Sequence, residues 1–269
     1  MSIDKETITA IGLLDAEKTK FESKRSTVEF TNSEPKIIQS VFSLFLKLNI
    51  TIDDWTWRLI FCEKLNLTEE NVKRAEEFWI SKTNVSSQMK IKNSFVNLKG
   101  KLRSKNYTGS ITLNYNNLLL NNFITKLQDF TKNEILIGNK KFAYAYIDGF
   151  FSGEAYVGVR QIQVASKDEK HLFYVISLLE SLGIKCGIGK KTSTAPQRLL
   201  ISKVEDFIKL YQNGVFLVNP NKRRSLIIRL LNYQNKYSVK INTKLKNQLI
   251  HELNSINILL KKREIYIKS

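Results

Sequence analysis

Apolar residues recur along this chain with two different periods, and their order predicts its elements. Polar and apolar residues alternate from Thr27 to Phe30, which is typical of a half-buried strand. From Pro35 to Leu48 the apolar residues return with helical spacing instead. The same change of period occurs between Gln161 and Ile184. A strand followed by an amphipathic helix is therefore predicted twice.

The two strand-helix segments belong to a longer internal repeat. Residues 27–50 align without a gap with residues 161–184 at an offset of 134. Just upstream, AIGLLDAEK (residues 10–18) aligns with IDGFFSGEA (residues 147–155) at an offset of 137, which matches Gly12 with Gly149. Two matched segments in the same order indicate a duplication, so the chain is predicted to contain two similar halves.

The spacing of the matched segments predicts the organisation of the chain. We assign the first half to residues 1–130 and the second to residues 141–269, with a linker over residues 131–140. The matched strands lie further apart in the first half, which predicts an insertion at about residues 51–109. The second half is expected to end in a basic helical tail.

Composition and charge indicate a folded protein with a polyanionic partner. The 269 residues are 42% hydrophobic, and 43 Lys and Arg against 25 Asp and Glu give a net charge of +18. An AT-rich genome would enrich Lys without any function, but it would enrich Glu as well. No acid occurs between Asp206 and Glu252 or from Ser86 to Asn106. Clustered positive charge of this kind favours nucleic-acid binding.

The supply of particular residues excludes several classes of protein. Cys62 and Cys186 are the only cysteines and His171 and His251 the only histidines, so zinc fingers and a disulfide framework are excluded. The first residues lack the pattern of a secretory leader, and the sequence contains no apolar run of bilayer length. We expect no membrane partner and no secretion, and a location in a prokaryotic cytoplasm or nucleoid or in an organelle matrix.

Each copy of the upstream segment carries small residues at helical spacing before an acid. Gly12 and Ala16 share one helix face, as do Gly149 and Gly153, and small residues let two helix backbones approach closely. Helices that cross there bring their final acids, Glu17 and Glu154, together. Two neighbouring carboxylates repel unless divalent cations lie between them, and oxygen ligands without histidine favour Mg²⁺ or Mn²⁺. The alternative is that each acid is merely solvated and each glycine marks a fraying helix end.

With these segments the chain resembles the LAGLIDADG homing endonucleases, in their single-chain form with two motifs, from about Ile8 to Leu231. The resemblance implies an α+β fold of two pseudo-symmetric αββαββα-type halves, with paired motif helices at the centre and saddle-shaped antiparallel sheets over DNA. It also implies that Glu17 and Glu154 are catalytic and that they bind the metals together with Ala16 and Gly153. The motif's earlier Asp survives as Asp15 but is Ser152 in the second copy.

The resemblance and the strand periods also suggest which residues surround the site and contact DNA. In the family a polar residue after each motif and a later lysine line the active site, which corresponds here to Asn32, Ser166 and Lys222. Outward strand positions and neighbouring cations are expected to contact DNA, although each is also compatible with an ordinary solvated surface. These residues are Lys20, Lys24, Thr27, Glu29, Arg160, Gln161, Gln163, Lys191, Lys222 and Arg223.

The function predicted from these features is site-specific cleavage of double-stranded DNA by a monomer that uses Mg²⁺ or Mn²⁺. The alternative is a non-cleaving binder on the same scaffold, either an intron maturase, with intron RNA as its partner, or a DNA-binding regulator. Retention of both Glu17 and Glu154 favours the enzyme, because a pure binder has no need of paired acids.

Overall fold

The first half alternates helices and strands. The computed structural model describes residues 3–17, 27–51, 54–83, 91–96, 108–166, 168–189, 196–237 and 241–268. The elements of the first half are α1 (Lys5–Glu17), β1 (Thr27–Asn32), α2 (Pro35–Lys47), β2 (Thr56–Cys62), α3 (Glu69–Thr83), β3 (Lys92–Val96), β4 (Ser110–Asn116) and α4 (Leu118–Phe130). Local sequence sets several boundaries: Pro35 opens α2, and Asn117 caps α4 by accepting the N–H of Leu120 at 2.9 Å.

The second half has the order α-β-β-α-β-β-α and adds two helices at its end. Its elements are α5 (Lys140–Glu154), β5 (Ala155–Val157), β6 (Ile162–Ser166), α6 (Glu169–Ser181), β7 (Gly187–Gly189), β8 (Gln197–Ile201), α7 (Val204–Gln212), α8 (Pro220–Tyr237) and α9 (Thr243–Lys268). The segment predicted to be a linker begins with a turn of π-helix, Thr131–Ile135, that continues α4. Asn139 then caps α5 by accepting the N–H of Phe142 at 3.1 Å.

Two four-stranded sheets confirm the predicted α+β fold. Their strand orders are β1-β4-β2-β3 and β5-β6-β8-β7, and every pair except the parallel pair β2-β3 is antiparallel. β1, β4 and β2 take the same positions as β6, β8 and β7. β2 therefore has a counterpart, β7, although β2 falls within the predicted insertion. Among the described elements of the first half, α3 and β3 have no counterpart.

The strand periods identified the buried faces correctly. Val28 and Phe30 on β1, and Ile162 and Val164 on β6, have no exposed surface, whereas Thr27, Glu29 and Gln163 between them are half-buried. In the aligned register Phe30 pairs with Leu113, and Ile162 pairs with Ile201, all of them buried. One face of each sheet thus packs on the helices and leaves the other available for contacts outside the fold.

The tail of the second half is helical, as predicted. α9 has 26 residues and packs along α8, burying Leu245, Leu249 and Ile256. Its far end reaches α3 of the first half. Among the described helices, each is too short or too polar to serve as a bilayer-spanning segment.

Candidate functional site

The centre of the molecule is a close contact between α1 and α5. A Cβ added at Gly12 would lie 2.3 Å from the carbonyl oxygen of Tyr146, and one added at Gly149 would lie 2.0 Å from that of Thr9. Carbon and oxygen atoms do not approach so closely without a shift of one backbone. Glycine is therefore required at both positions, as the small-residue stripes predicted.

The contact obeys a local two-fold relation. Gly12 meets Tyr146 and Phe150, while Gly149 meets Thr9 and Leu13, and each residue is paired with its counterpart at the same offset of 137. The duplication detected in the sequence is thus expressed in space as a pseudo-dyad between the two helices.

The two helices run in the same direction along this axis. A cleft of 490 Å³ is lined by Lys5 and Glu6 at the start of α1 and by Lys141 at the start of α5. Because both amino ends line one cleft, both carboxyl ends lie at the opposite end of the pair. α1 ends there at Glu17 and α5 at Glu154, so the two motif acids belong to one end of the helix pair.

Glu154 is an exposed residue at the end of α5. The side chain of Glu17 lies outside the described part of the structure, although its backbone closes α1. Ala16 and Gly153, one position before these acids, are both half-buried. Among the described residues no group of three or more His, Cys, Asp or Glu side chains could hold a metal.

Lys222 lies at the same end of α5. Its Nζ donates to the carbonyl oxygens of Ser152 at 2.7 Å and Gly153 at 2.5 Å. These carbonyls belong to the last turn of the helix, where the helix dipole favours a cation. The ammonium group of Lys222 thus binds the carbonyl oxygen of Gly153, which we predicted to be a metal ligand. Gly153 directly precedes Glu154.

A short loop fastens Lys222 to α5. The Asn219 side chain donates to the Ser152 carbonyl at 2.9 Å and accepts the N–H of Lys222 at 3.2 Å. One helical turn earlier, Asp148 accepts the N–H of Leu217 at 3.0 Å. Sequence reasoning missed both residues, although Asn219 followed by Pro220 is an ordinary signal for the start of a helix.

Asp148 is a buried acid on the motif helix, at the position that corresponds to Ile11 in α1. Burial raises the pKa of its carboxyl to about 7, although the N–H groups of Phe216 and Leu217 and the hydroxyl of Ser152 oppose the shift. Because the pKa in the folded state exceeds the ordinary value of 3.8, the protonated form stabilises the fold. That contribution is lost as the pH rises through 7.

We therefore expect Asp148→Asn to make the free energy of unfolding less dependent on pH. Between roughly pH 5 and pH 8 the free energy of unfolding of the wild type should fall by roughly 2 to 3 kcal/mol relative to the variant. Urea unfolding at several pH values measures this difference. Asp129→Asn, which alters an acid with an exposed side chain, is the control. Parallel pH curves for the wild type and Asp148→Asn would contradict the prediction.

The earlier motif acid, Asp15, has a structural role. Its carboxylate accepts the hydroxyl of Tyr146 at 2.5 Å and lies 3.6 Å from Nζ of Lys132. Burial, with the nearby charge of Asp15, holds the pKa of Tyr146 well above 10, so its hydroxyl stays protonated as a donor. The counterpart Ser152 instead donates to Asp148 at 3.3 Å. Where the first motif has a contact between Asp15 and Tyr146, the second motif thus has one between Ser152 and Asp148.

Asn32 and Ser166 occupy equivalent turns. The Asn32 side-chain oxygen accepts the N–H of Glu34 at 2.8 Å, and the Ser166 hydroxyl accepts the N–H of Asp168 at 3.1 Å. Both side chains therefore help to close the turn between a sheet strand and the following helix. Their predicted position beside the active site stays a prediction.

The residues predicted to contact DNA are placed in three ways. Arg160 is exposed, and Gln161 is half-buried beside β6. Thr27 and Glu29 on β1 and Gln163 on β6 are half-buried, and they lie on the sheet faces that do not pack on the helices. Lys20, Lys24 and Lys191 lie outside the described residues.

The prediction for Arg223 is wrong. This side chain is buried, with its Nε 2.7 Å from the carboxylate of Glu252 and its Nη1 within 3.0 Å of the carbonyl oxygens of Tyr211 and Val215. Its guanidinium also stacks at 4.0 Å over the ring of Tyr211. All these partners lie within the fold, so Arg223 joins α8 to α9 instead of facing a phosphate.

Comparison with known proteins supports the interpretation of the second half. Residues 141–213, from α5 to the end of α7, match the family described as LAGLIDADG-like domain. This match confirms the resemblance for the second of the two duplicated segments. No curated protein matches the chain.

Several solved structures are similar to this chain. Mesophilic variants of the homing endonuclease I-DmoI have a TM-score of 0.44 and 17% identity, over 80% of this chain and 98% of theirs. I-DmoI in complex with DNA and Mn has a TM-score of 0.44 and 18% identity, over 79% and 98%. Full-length DUF199/WhiA from Thermatoga maritima has a TM-score of 0.48 and 12% identity, over 96% and 69%.

Proposed function

Because the second half of the chain carries a LAGLIDADG-like domain, we propose that the protein is a site-specific endonuclease that cleaves double-stranded DNA with a divalent metal. The observation that carries the proposal is the parallel pair of motif helices. α1 and α5 pack through Gly12 and Gly149 about a pseudo-dyad, and each ends in a glutamate at the same end of the pair. One acid from each half then serves one strand of the duplex.

The donors at this end fit a hard divalent cation. Glu17 and Glu154 supply carboxylate oxygens, and the ends of two parallel helices add the negative ends of their dipoles. Glu154 is exposed, so an ion and a phosphate have access to it. Glu17 and Glu154 would hold the Mg²⁺ or Mn²⁺, which would supply activation of a water molecule and stabilisation of the leaving oxygen.

The protein's own cations complete the site. Lys222, held against the last turn of α5, supplies a positive charge beside Glu154 for the phosphate that is cut. While its Nζ is bonded to the Gly153 carbonyl, that oxygen is a poor ligand for a second cation. We therefore assign the metal to the two glutamates and Lys222 to the phosphate, with Ala16 and Gly153 as packing residues.

The experiment is selection followed by cleavage. A library of supercoiled plasmids with randomised inserts is incubated with the protein and Mg²⁺, and the linear products are sequenced to identify the target. A plasmid with that target should become linear in Mg²⁺ or Mn²⁺ but only be bound in Ca²⁺, which supports binding better than hydrolysis. Tight binding to a preferred sequence without cutting in Mg²⁺ or Mn²⁺ would replace the endonuclease with a maturase or a DNA-binding regulator.

The acid-free segment from Ser86 to Asn106 carries six cations, which are expected to neutralise phosphates. Of these Lys92 lies exposed on β3, and the other five fall outside the described residues. Neutralising all of them should weaken binding to specific and random DNA alike. The slope of log K against log salt should fall by roughly one for each phosphate that the segment no longer neutralises. An unchanged slope would show that the segment is an ordinary solvated surface.

A further inference from the structure

The two strand-helix turns that the duplication relates have different partners. Asp168 in the second half is exposed and caps α6 by accepting the N–H of His171 at 3.1 Å. Its counterpart Glu34 is 6% exposed and makes no such cap bond to α2. A buried carboxylate that does not cap its own helix requires another compensating group.

That group comes from the end of the chain. Arg263 on α9 pairs with Glu34 at 2.9 Å and also donates to the carbonyl oxygen of Ser33. Its guanidinium lies 5.4 Å from the ring centre of Phe78 on α3, within the range of a cation-π contact. One side chain from the second half's tail therefore contacts the turn and a helix of the first half.

α9 is also anchored within the second half, nearer its start. Glu252, one of the partners of Arg223, also accepts the hydroxyl of Tyr211 at 2.6 Å, and Leu249 is fully buried. Arg263 follows Glu252 by 11 residues, which corresponds to roughly 16 Å of helix. α9 thus extends from the core of the second half to the surface of the first.

We propose that α9 is a brace between the two halves and that Arg263 is a positioning residue for the turn that ends β1. The turn contains Asn32, whose side chain accepts the N–H of Glu34, and β1 carries the open face that includes Thr27 and Glu29. By holding Glu34, Arg263 fixes where β1 ends and where α2 begins. The effect on cleavage rests on the proposed function, but the effect on the turn does not.

The backbone of the turn provides a direct readout. The Glu34 carbonyl accepts the N–H groups of Ile37 at 3.1 Å and Ile38 at 3.3 Å, and the Glu34 N–H is held by Asn32. Loss of Arg263 leaves a buried carboxylate without its guanidinium, which favours opening of this turn. These amides should then exchange with solvent faster while the equivalent turn at Asp168 remains unchanged.

The test compares Arg263→Ala with Arg224→Ala. Arg224 is an exposed α8 residue that bonds to Asn257 of α9 at 2.6 Å, so its replacement removes a bond to the same helix within the second half. Hydrogen exchange at the amides of Glu34, Ile37 and Ile38 should rise at least roughly tenfold in Arg263→Ala and stay unchanged in Arg224→Ala. If Arg263→Ala does not fold, Arg263→Met, which keeps an unbranched side chain but removes the charge that pairs with Glu34, is measured instead, and the same local increase is expected.

Unchanged hydrogen exchange at the turn, or an equal increase in both halves, would contradict the proposal that α9 is a brace. In a protein that cuts DNA, Arg263→Ala should also accumulate nicked plasmid in which one strand is cut at least roughly threefold faster than the other, whereas Arg224→Ala should cut both alike. Equal cutting of both strands by Arg263→Ala would limit the brace to stability and overturn its positioning role. A wild-type protein that leaves DNA uncut contradicts the proposed function alone, and exchange at the turn still decides the brace.

Discussion

Glu154→Gln and Glu17→Gln should each lower double-strand cleavage at least roughly a hundredfold while specific DNA binding persists. The amide keeps the shape of the side chain but removes the charge that holds a divalent cation. Metal stabilisation of a phosphoryl transition state is worth several kcal/mol, and each 1.36 kcal/mol is roughly a factor of ten in rate. The expected effect is therefore larger than any consequence of altered surface charge.

The matched control for these variants is Glu180→Gln, which neutralises an exposed acid near the end of α6 in the same half. Cleavage of a plasmid with the selected target is followed in Mg²⁺, and binding is measured in Ca²⁺. Glu180→Gln should cut like the wild type. Cleavage that survives in the double variant of Glu17 and Glu154 would exclude the two acids as the metal site.

Gly149→Ala should destabilise the protein by at least about 3 kcal/mol or prevent folding, and Gly12→Ala should behave alike. Alanine normally stabilises a helix relative to glycine by about 1 kcal/mol. Here the added carbon would meet a carbonyl oxygen of the facing helix at 2.0 to 2.3 Å, so the two backbones must separate. The sign of the effect is thus opposite to that of helix propensity.

Gly187→Ala is the control, because a Cβ there meets nothing closer than 3.9 Å and the backbone needs no positive φ. Its effect should lie within about 0.5 kcal/mol of zero. Urea unfolding of the three variants measures the differences. Wild-type stability of Gly149→Ala would mean that α1 and α5 do not pack through these glycines, and the shared end of the two acids would lose its support.

The sequence predicted the elements whose signals are local. Alternating residues such as Val28 and Phe30 identify a strand and its buried face, because a strand has a period of two. The duplicated segments also predicted the contact at Gly12 and Gly149. A glycine at the same position in both copies indicates that the two helix backbones approach closely at the pseudo-dyad.

The same reasoning could not predict which cationic side chains are buried, which bind other parts of the fold and which are exposed. Lys222, Arg223 and Arg224 are consecutive in the chain, yet one caps the end of α5, one is buried against Glu252 and one is exposed. Their different fates follow from which helix face each occupies and from partners far away in sequence. A run of positive charge therefore predicts a partner for the surface as a whole but not for each residue.

By itself the sequence determined that the chain is a duplication, that each copy begins with a small-residue helix ending in an acid, and that each helix is followed by a strand and a second helix. These are periodic or repeated features, which linear order records. Only the tertiary structure decided that Asp148 is buried, that Lys222 meets Gly153, and that Arg263 pairs with Glu34. Those contacts join side chains far apart in the chain, and their energies depend on burial, which the packing of the two halves creates.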